Sequence, residues 1–213
     1  MPKIKVKVCG ITNWTDAKRA CDAGAAFLGF NFYPSSPRYI TPTKARRIVE
    51  RLPKGISAVG VFVNEPEAKM LEIARLVGLH YLQLHGDESP VTVCHLGRSL
   101  PVIKALRVND TFRPSELNRF KQAAAVLLDG FDRRQRGGSG KIFDWAIARR
   151  ARRHGRIFLA GGLTPDNVRE AVRTGKPYAI DVCSGVEAKP GKKDSKKLRK
   201  LMRAIADVKR SKR

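Results

Sequence analysis

The sequence predicts an α/β protein that folds as a single (β/α)8 barrel, the TIM-barrel architecture. Eight short apolar segments rich in β-branched residues alternate with helical segments of about ten residues. This order produces right-handed βαβ units and a parallel sheet. The segments start about 21 to 32 residues apart, and eight such units close a sheet into a barrel. No linker divides the chain, so we predict one domain over 1–213 that ends in a basic helix and tail at about 196–213.

The predicted elements follow from local patterns along the chain. Thr15 is predicted to cap the first helix, which Gly24 ends; Thr41, followed by Pro42, opens the second helix. Thr164 and Pro165 precede a later predicted helix, DNVREAVRTG (166–175), which Gly175 closes. The eight predicted strands are IKVKVCG (4–10), AAFLGFNF (25–32), SAVGVFV (57–63), HYLQLHG (80–86), PVIKALRV (101–108), AAVLLDG (124–130), RIFLAGG (156–162) and YAIDVCSG (178–185).

The composition is that of a globular protein, with 42% hydrophobic and 29% charged residues. No apolar run approaches the roughly 20 residues that span a bilayer, and the start, MPKIKVKVCG, lacks the apolar segment of a signal peptide. We therefore expect no membrane partner and a cytoplasmic location. The four cysteines are far apart, without CxxC or histidine at metal-ligand spacing, so we expect reduced thiols, no metal and no disulfide framework.

The net charge of +24 raises nucleic-acid binding as a competing function. Its distribution weakens that reading, because residues 189–213 hold 12 Lys/Arg against 2 Asp, in what reads as a last helix and a frayed tail. The chain also lacks zinc-finger spacing, an RNP-like aromatic pair and a clear helix-turn-helix pattern. We expect a solvated basic surface that attracts anionic small-molecule substrates, and no nucleic-acid partner.

A doubly wound open sheet is the structural alternative to the barrel. Such a sheet would carry a phosphate-binding turn after its first strand, but CGITNW there lacks GxGxxG, and GGSGKIF lacks the earlier glycine and the Ser/Thr of a Walker loop. Glycine-rich turns follow the seventh and eighth strands instead, where TIM barrels bind phosphate.

Cys9 is the main candidate for a chemically active side chain, because it ends the first predicted strand. Alternation along a strand puts Lys5, Lys7 and Cys9 on one face, while the apolar residues between them take the other. If the apolar face packs on the helices, Lys7 and Cys9 point into the barrel, where a nearby ammonium favours thiolate over thiol. Cys21 and Cys94 are interpreted as small core residues.

Asp129 ends the apolar run AVLLD, so its carboxylate is either solvated at the barrel mouth or paired. Partial burial would let it act as an acid near neutral pH, whereas the alternative is a helix-capping or loop aspartate. Asp181, at the end of the eighth strand, is a weaker candidate, since it could equally anchor Lys104 across the lumen.

The turns at Gly161, Gly162, Ser184 and Gly185 are interpreted as a phosphate site. Glycines let backbone N–H groups approach an anion closely, and GLTPDNV would begin a helix whose positive end points at it. The alternative is that these turns merely need positive φ.

Two long connections on the same face are candidate lids or substrate clamps: NFYPSSPRYITP after the second strand and GFDRRQRGGSGKIFDW after the sixth. Arg38, in the first of them, could hold a substrate carboxylate as a bidentate fork, or could simply be solvated. His85, in QLHG, is interpreted as a hydrogen-bonded structural histidine.

Motifs over nearly the whole chain resemble those of phosphoribosylanthranilate isomerases. They are KVKVCGIT, LGFNFYPSSPRYI, VGVFVN, LQLHGDE, LLDG, GGSGKIFDW, LAGGLTPDNV and DVCSGVEAKPGKKD, in family order. The resemblance implies an eightfold β/α barrel. It also implies the Amadori rearrangement of N-(5-phosphoribosyl)anthranilate to 1-(2-carboxyphenylamino)-1-deoxyribulose 5-phosphate, a step of tryptophan biosynthesis, without a cofactor.

By the same resemblance, Cys9 is the general base, Asp129 the general acid and Arg38 the carboxylate ligand, and the phosphate-holding glycines are Gly161, Gly162 and Gly185. One departure concerns the phosphate loop: relatives usually read DVSSGVE, whereas this chain has Cys183 in place of the first serine. We expect this change to remove a hydroxyl contact there and to leave the backbone N–H contacts in place.

Alternative functions are another phosphosugar isomerase or epimerase on the same barrel, and a basic nucleic-acid-binding protein. The sequence leaves open whether the protein is a monomer or a homodimer.

Overall fold

The structure is a computed structural model that describes residues 4–130 and 144–210, the last two without their side chains. The predicted connection GFDRRQRGGSGKIFDW therefore lies mostly, at 131–143, outside the described residues. The end of the predicted basic tail, at 211–213, also lies outside them.

Eight parallel strands form a closed barrel, which confirms the predicted fold class. Each strand pairs with the next in the chain, and the last pairs with the first, where Lys7 lies opposite Asp181 and Val8 opposite Val182. The strands are β1 Lys5–Cys9, β2 Phe27–Asn31, β3 Ser57–Phe62, β4 Tyr81–Leu84, β5 Val102–Val108, β6 Ala125–Gly130, β7 Ile157–Leu159 and β8 Ala179–Val182.

Helices cover the outside of the barrel. The α-helices are α1 Trp14–Asp22, α2 Pro42–Val49, α3 Glu67–Val77, α4 Pro90–Gly97, α5 Ala146–Ala151, α6 Val168–Gly175 and α7 Ser195–Arg210. Between β5 and β6 a 3₁₀ helix at Pro114–Phe120 takes the place of an α-helix and buries Leu117 and Phe120, which stand three residues apart on one face. After β8 a 3₁₀ turn, Ser184–Val186, leads into a small hairpin of β9 Glu187–Lys189 and β10 Lys192–Lys193.

Two predicted helix starts differ from the structure. Thr41 caps α2 as predicted, accepting a hydrogen bond from the Lys44 amide at 3.4 Å, but α1 is capped by Asn13, not by Thr15. Asn13 is extended and its side chain accepts from the Asp16 amide at 2.9 Å, so Thr15 already lies inside the helix.

The later helix, predicted over 166–175 after Thr164 and Pro165, begins at Val168, two residues later than predicted. Asn167 precedes it, and its side chain accepts from the Thr164 amide at 2.8 Å and donates to the Gly162 carbonyl at 2.8 Å. Residues 165–167 therefore form a turn, which the side-chain bonds of Asn167 stabilise ahead of the helix.

The alternation predicted for β1 is observed. Val6 and Val8 pack in the layer between the barrel and the helices, while the buried Lys7 and Cys9 side chains lie inside the barrel, next to Gly29. The lower interior is filled by an apolar cluster of Phe27, Val59, Ile103, Ala105, Ala125, Leu127, Phe158, Ala160 and Ala179. The barrel is a packed core whose polar residues gather at the carboxyl ends of the strands. None of the described helices has the length and apolar character needed to cross a membrane.

Phe158 anchors the lower interior. Its ring lies 5.3 Å from that of Phe27 and 5.8 Å from that of Tyr178, centroid to centroid. We expect Phe158→Ala to lower the free energy of unfolding by about 3–5 kcal/mol, because it leaves a cavity in a closed interior. Urea denaturation measures this loss. Leu76→Ala, at a side chain 43% exposed on α3, is the control and should change stability by about 0.5 kcal/mol or less. Equal losses in the two variants would contradict the packing described here.

Candidate active site

A cavity of about 380 Å³ opens at the carboxyl ends of the strands, the face on which TIM barrels carry their sites. The ends of β1, β6 and β8 and the loops after β2 and β7 form its walls. The predicted site residues that line it are Cys9, Arg38, Asp129, Gly161, Gly162, Asp181 and Ser184. Gly185 packs beside it: a Cβ there would stand 1.9 Å from the Leu163 carbonyl oxygen.

Cys9 lies between cationic and thiol neighbours. The hydrogen bond with Cys183 lowers the pKa of Cys9 well below its ordinary value; burial opposes this, and the charges of Lys7 and Lys193 add to it. Gly29 makes room for the group, since a Cβ there would stand 2.7 Å from Cys9 Sγ and 3.0 Å from Lys7 Nζ. The neighbours of Cys9 therefore favour its thiolate over its thiol.

Asp181 forms a buried ion pair with Lys7, at 3.0 Å from the ammonium. Burial raises the pKa of Asp181 to about 7 even though the charge of Lys7 lowers it. The alternative that Asp181 anchors Lys104 is wrong: Lys104 pairs with Glu88 at 2.7 Å. The register explains this, because β8 lies beside β1, whereas Lys104 on β5 faces the loop that follows the neighbouring β4.

Asp129, at the end of β6, lies beside His85. Its Oδ2 is 3.4 Å from His85 Nε2, and His85 Nδ1 is 2.9 Å from Gln83 Nε2. With the Gln83 amide donating to Nδ1, the ring carries its proton on Nε2 and points it at Asp129. His85 therefore lines the cavity next to the predicted acid. The sequence analysis interpreted it as a structural histidine and did not predict this position. Its place in QLHG, at the end of the fourth strand, was the available signal.

Arg38 is held by Glu187, a residue that the sequence reasoning missed. Its Nε and Nη2 donate to both Glu187 oxygens at 2.8–3.1 Å. Burial alone would raise the pKa of Glu187, but the hydrogen bonds from Arg38 and the charge of Lys193 lower it. Lys193, also missed, is buried and donates to Glu187 Oε1 at 2.8 Å, with its Nζ 3.9 Å from Cys183 Sγ. Glu187 and Lys193 both lie in the motif GVEAKPGKKD, and their presence there was the only sequence feature that could have pointed to them.

The glycine turns after β7 and β8 pack against each other. Gly161 and Gly162 have φ of +82° and +62°, so both turns do need residues that adopt positive φ. A Cβ on Gly161 would also stand 2.4 Å from the Gly130 amide nitrogen. This requirement is compatible with anion binding, because such turns direct successive N–H groups into one concavity.

The profile of the N-(5'-phosphoribosyl)anthranilate (PRA) isomerase family matches residues 6–204. The chain belongs to this family. It is 48% identical over 205 residues to the N-(5'-phosphoribosyl)anthranilate isomerase of Pelobacter propionicus, covering 96% of this chain and 97% of the relative.

Crystal structures of PRA isomerases share the fold. The Thermus thermophilus structure superposes with a TM-score of 0.89 at 39% identity, covering 96% of this chain and all of that one. A second PRA isomerase structure, in complex with reduced 1-(o-carboxyphenylamino)-1-deoxyribulose 5-phosphate, gives a TM-score of 0.85 at 40% identity, covering 96% of this chain and 99% of its own.

In this PRA isomerase family member, the buried Lys193 ammonium favours the Cys9 thiolate. Lys193→Met removes that charge, so we expect the pKa of Cys9 to rise and its reaction with iodoacetamide to require higher pH. Mass spectrometry of the Cys9 peptide across a pH series measures the shift. Lys18→Met, at a side chain 60% exposed on α1, is the control and should leave the profile unchanged. A Cys9 profile that does not move in Lys193→Met would remove Lys193 from this role.

Proposed function

We propose that the chain catalyses the Amadori rearrangement of N-(5-phosphoribosyl)anthranilate to 1-(2-carboxyphenylamino)-1-deoxyribulose 5-phosphate in tryptophan biosynthesis, with Cys9 as general base and Asp129 as general acid. One observation carries the proposal. A thiol whose pKa is lowered and a carboxyl from a distant strand face one cavity, which Arg38 and the glycine turn after β7 also line. We place this activity in the cytoplasm, where reduced thiols persist.

The chemistry needs one acid and one base. Asp129 donates its proton to the ribose ring oxygen as the C1′–O bond breaks and the nitrogen lone pair forms an iminium. The Cys9 thiolate then removes the proton from C2′, and the electron pair left behind forms the enolamine. The enol hydroxyl then returns a proton to Asp129 while C1′ takes the proton from the Cys9 thiol, which gives the ketone and restores both groups. Each positioned proton transfer contributes about 10²- to 10⁴-fold in rate.

His85 serves as a positioning residue for Asp129. Its Nε2, 3.4 Å from Asp129 Oδ2, fixes the carboxyl orientation, and Gln83 fixes the ring. Gln83 is 1% exposed and its Oε1 has no hydrogen-bond partner among the described residues. A buried acceptor left unpaired is costly, so we assign Gln83 Oε1 to a substrate hydroxyl.

The two ends of the substrate are both anionic, and each has a matching wall. The phosphate is assigned to the backbone of Gly161 and Gly162 together with Ser184 and Gly185. The anthranilate carboxylate is assigned to Arg38, because the fork to Glu187 uses Nε and Nη2 and leaves Nη1 as a donor. Positioning of this kind is worth more than either proton transfer alone.

Removing either proposed catalytic group should slow turnover strongly. We expect Cys9→Ala and Asp129→Asn to lower kcat by about 10²- to 10⁴-fold, since each removes one proton transfer. A fluorescence assay that follows the loss of phosphoribosylanthranilate measures the rate. Cys94→Ala, at a half-buried thiol on α4, is the control for thiol loss and should keep near wild-type turnover. Near wild-type rates in Cys9→Ala or Asp129→Asn would refute the assignment. Turnover of phosphosugars without an aromatic amine would favour the broader isomerase alternative.

The net charge of +24 should speed capture of the doubly anionic substrate. We expect kcat/KM to fall as sodium chloride is added, because salt screens long-range attraction. Sucrose at matched viscosity, which does not screen charge, is the control. A kcat/KM that is independent of salt would show that the field does not contribute to capture.

A further inference from the structure

Cys9 and Cys183 stand side by side where β1 meets β8. Lys7 lies opposite Asp181 and Val8 opposite Val182, so the two cysteines are one position beyond the last registered pair. Neighbouring strands lie about 4.8 Å apart, and disulfides form between Cα atoms about 4.4–6.8 Å apart. The register of β1 and β8 therefore favours a Cα separation between Cys9 and Cys183 that a disulfide can bridge.

The two thiols interact with each other, and glycine backbones make room for them. The two side chains share a hydrogen bond. Glycines flank the pair: a Cβ on Gly29 would stand 2.7 Å from Cys9 Sγ, and a Cβ on Gly10 would stand 3.1 Å from Cys183 Sγ. Both cysteines line the cavity, so a small reagent that enters it reaches them.

The two thiols have opposite acid strengths. The hydrogen bond from Cys183, together with Lys7 and Lys193, lowers the pKa of Cys9, whereas its bond to Cys9 and its burial raise the pKa of Cys183. One sulfur is therefore the nucleophilic thiolate, and the other is a thiol held against it. This is the arrangement of a peroxide-reactive cysteine with a resolving cysteine.

We propose that Cys9 and Cys183 form a reversible modification site for small hydroperoxides, in which oxidation joins them as a disulfide. The Cys9 thiolate attacks hydrogen peroxide; the S–O bond forms, the O–O bond breaks, and hydroxide leaves and takes a proton to become water. The Cys183 sulfur then attacks the Cys9 sulfenic acid; the S–S bond forms, the S–O bond breaks, and water leaves with the thiol proton. The pair loses two electrons and the peroxide gains two.

The consequence for activity rests on the proposed function, because a disulfide at Cys9 removes the general base. Oxidation would then switch isomerisation off, and thiols would restore it. Cys183 also diverts the sulfenic acid from sulfinic acid, which dithiothreitol does not reduce. Cys21 on α1 and Cys94 on α4 lie outside the cavity lining and take no part.

Peroxide treatment of the whole protein tests the proposal. After hydrogen peroxide and non-reducing digestion, mass spectrometry should find the Cys9 peptide linked to the Cys183 peptide. Activity should fall in proportion to the linked fraction and return with dithiothreitol. In Cys183→Ser the linked peptide should be absent, Cys9 should reach sulfinic acid, and the loss should not be reversed. Cys94→Ser is the matched control and should behave as the wild type.

Two outcomes would overturn the proposal: Cys9 sulfinic acid without the linked peptide in the wild type, or cross-links to Cys21 or Cys94 in its place. The mass readout does not depend on turnover. A linked peptide in a protein that does not isomerise phosphoribosylanthranilate would therefore sustain the thiol pair and refute the proposed function. An active isomerase without the linked peptide would support the proposed function and refute the disulfide between Cys9 and Cys183.

Discussion

The barrel closes where β8 pairs with β1, and the buried Lys7–Asp181 ion pair lies inside this seam. Burying two charges is costly, and replacing such a pair by apolar residues is often neutral or stabilising for the fold alone. The pair is therefore explained by what it does for the site. Burial opposes the charge on Lys7, but Asp181 and Cys9 together raise its pKa, so one fixed ammonium balances the carboxylate and favours the thiolate.

A second set of charges connects the parts of the site that are distant in sequence. Glu187, in the hairpin after β8, accepts from Arg38 in the loop after β2 and from Lys193 on β10. Glu187 thus holds Arg38 and Lys193 together, although these two cations would otherwise repel each other at the cavity rim. It also fixes the Arg38 guanidinium, whose remaining donor faces the substrate in our assignment. Lys193 reaches from this cluster to Cys183 Sγ, at 3.9 Å, so the Arg38 side and the Cys9 side of the cavity share their electrostatics.

Periodic features were predictable from the sequence, and partner-dependent ones were not. The repeat spacing predicted eight strands, and alternation in KVKVC predicted that Lys7 and Cys9 point inward, because both depend only on backbone geometry. The predicted partner of Asp181, Lys104, was wrong, because the true partner depends on which strands meet where the barrel closes. Glu187 and Lys193 were missed because they act only after a hairpin folds back over the cavity. His85 carried its signal at a strand end, but its contact with Asp129 depends on the tertiary spacing of β4 and β6.

The excess positive charge is not what holds the last helix on the barrel. Along α7 the buried residues are Leu198, Leu201 and Ile205, spaced at three and four as an amphipathic helix requires. Its ion pairs with α6 and the turn before it, Arg169–Asp207 and Lys200–Asp166, are exposed, and exposed pairs contribute about 0–1 kcal/mol. Apolar burial therefore attaches the helix, and these exposed ion pairs contribute little to its attachment. The charge of its lysines and arginines then acts through the field around the cavity, whose substrate in our proposal carries a phosphate and a carboxylate.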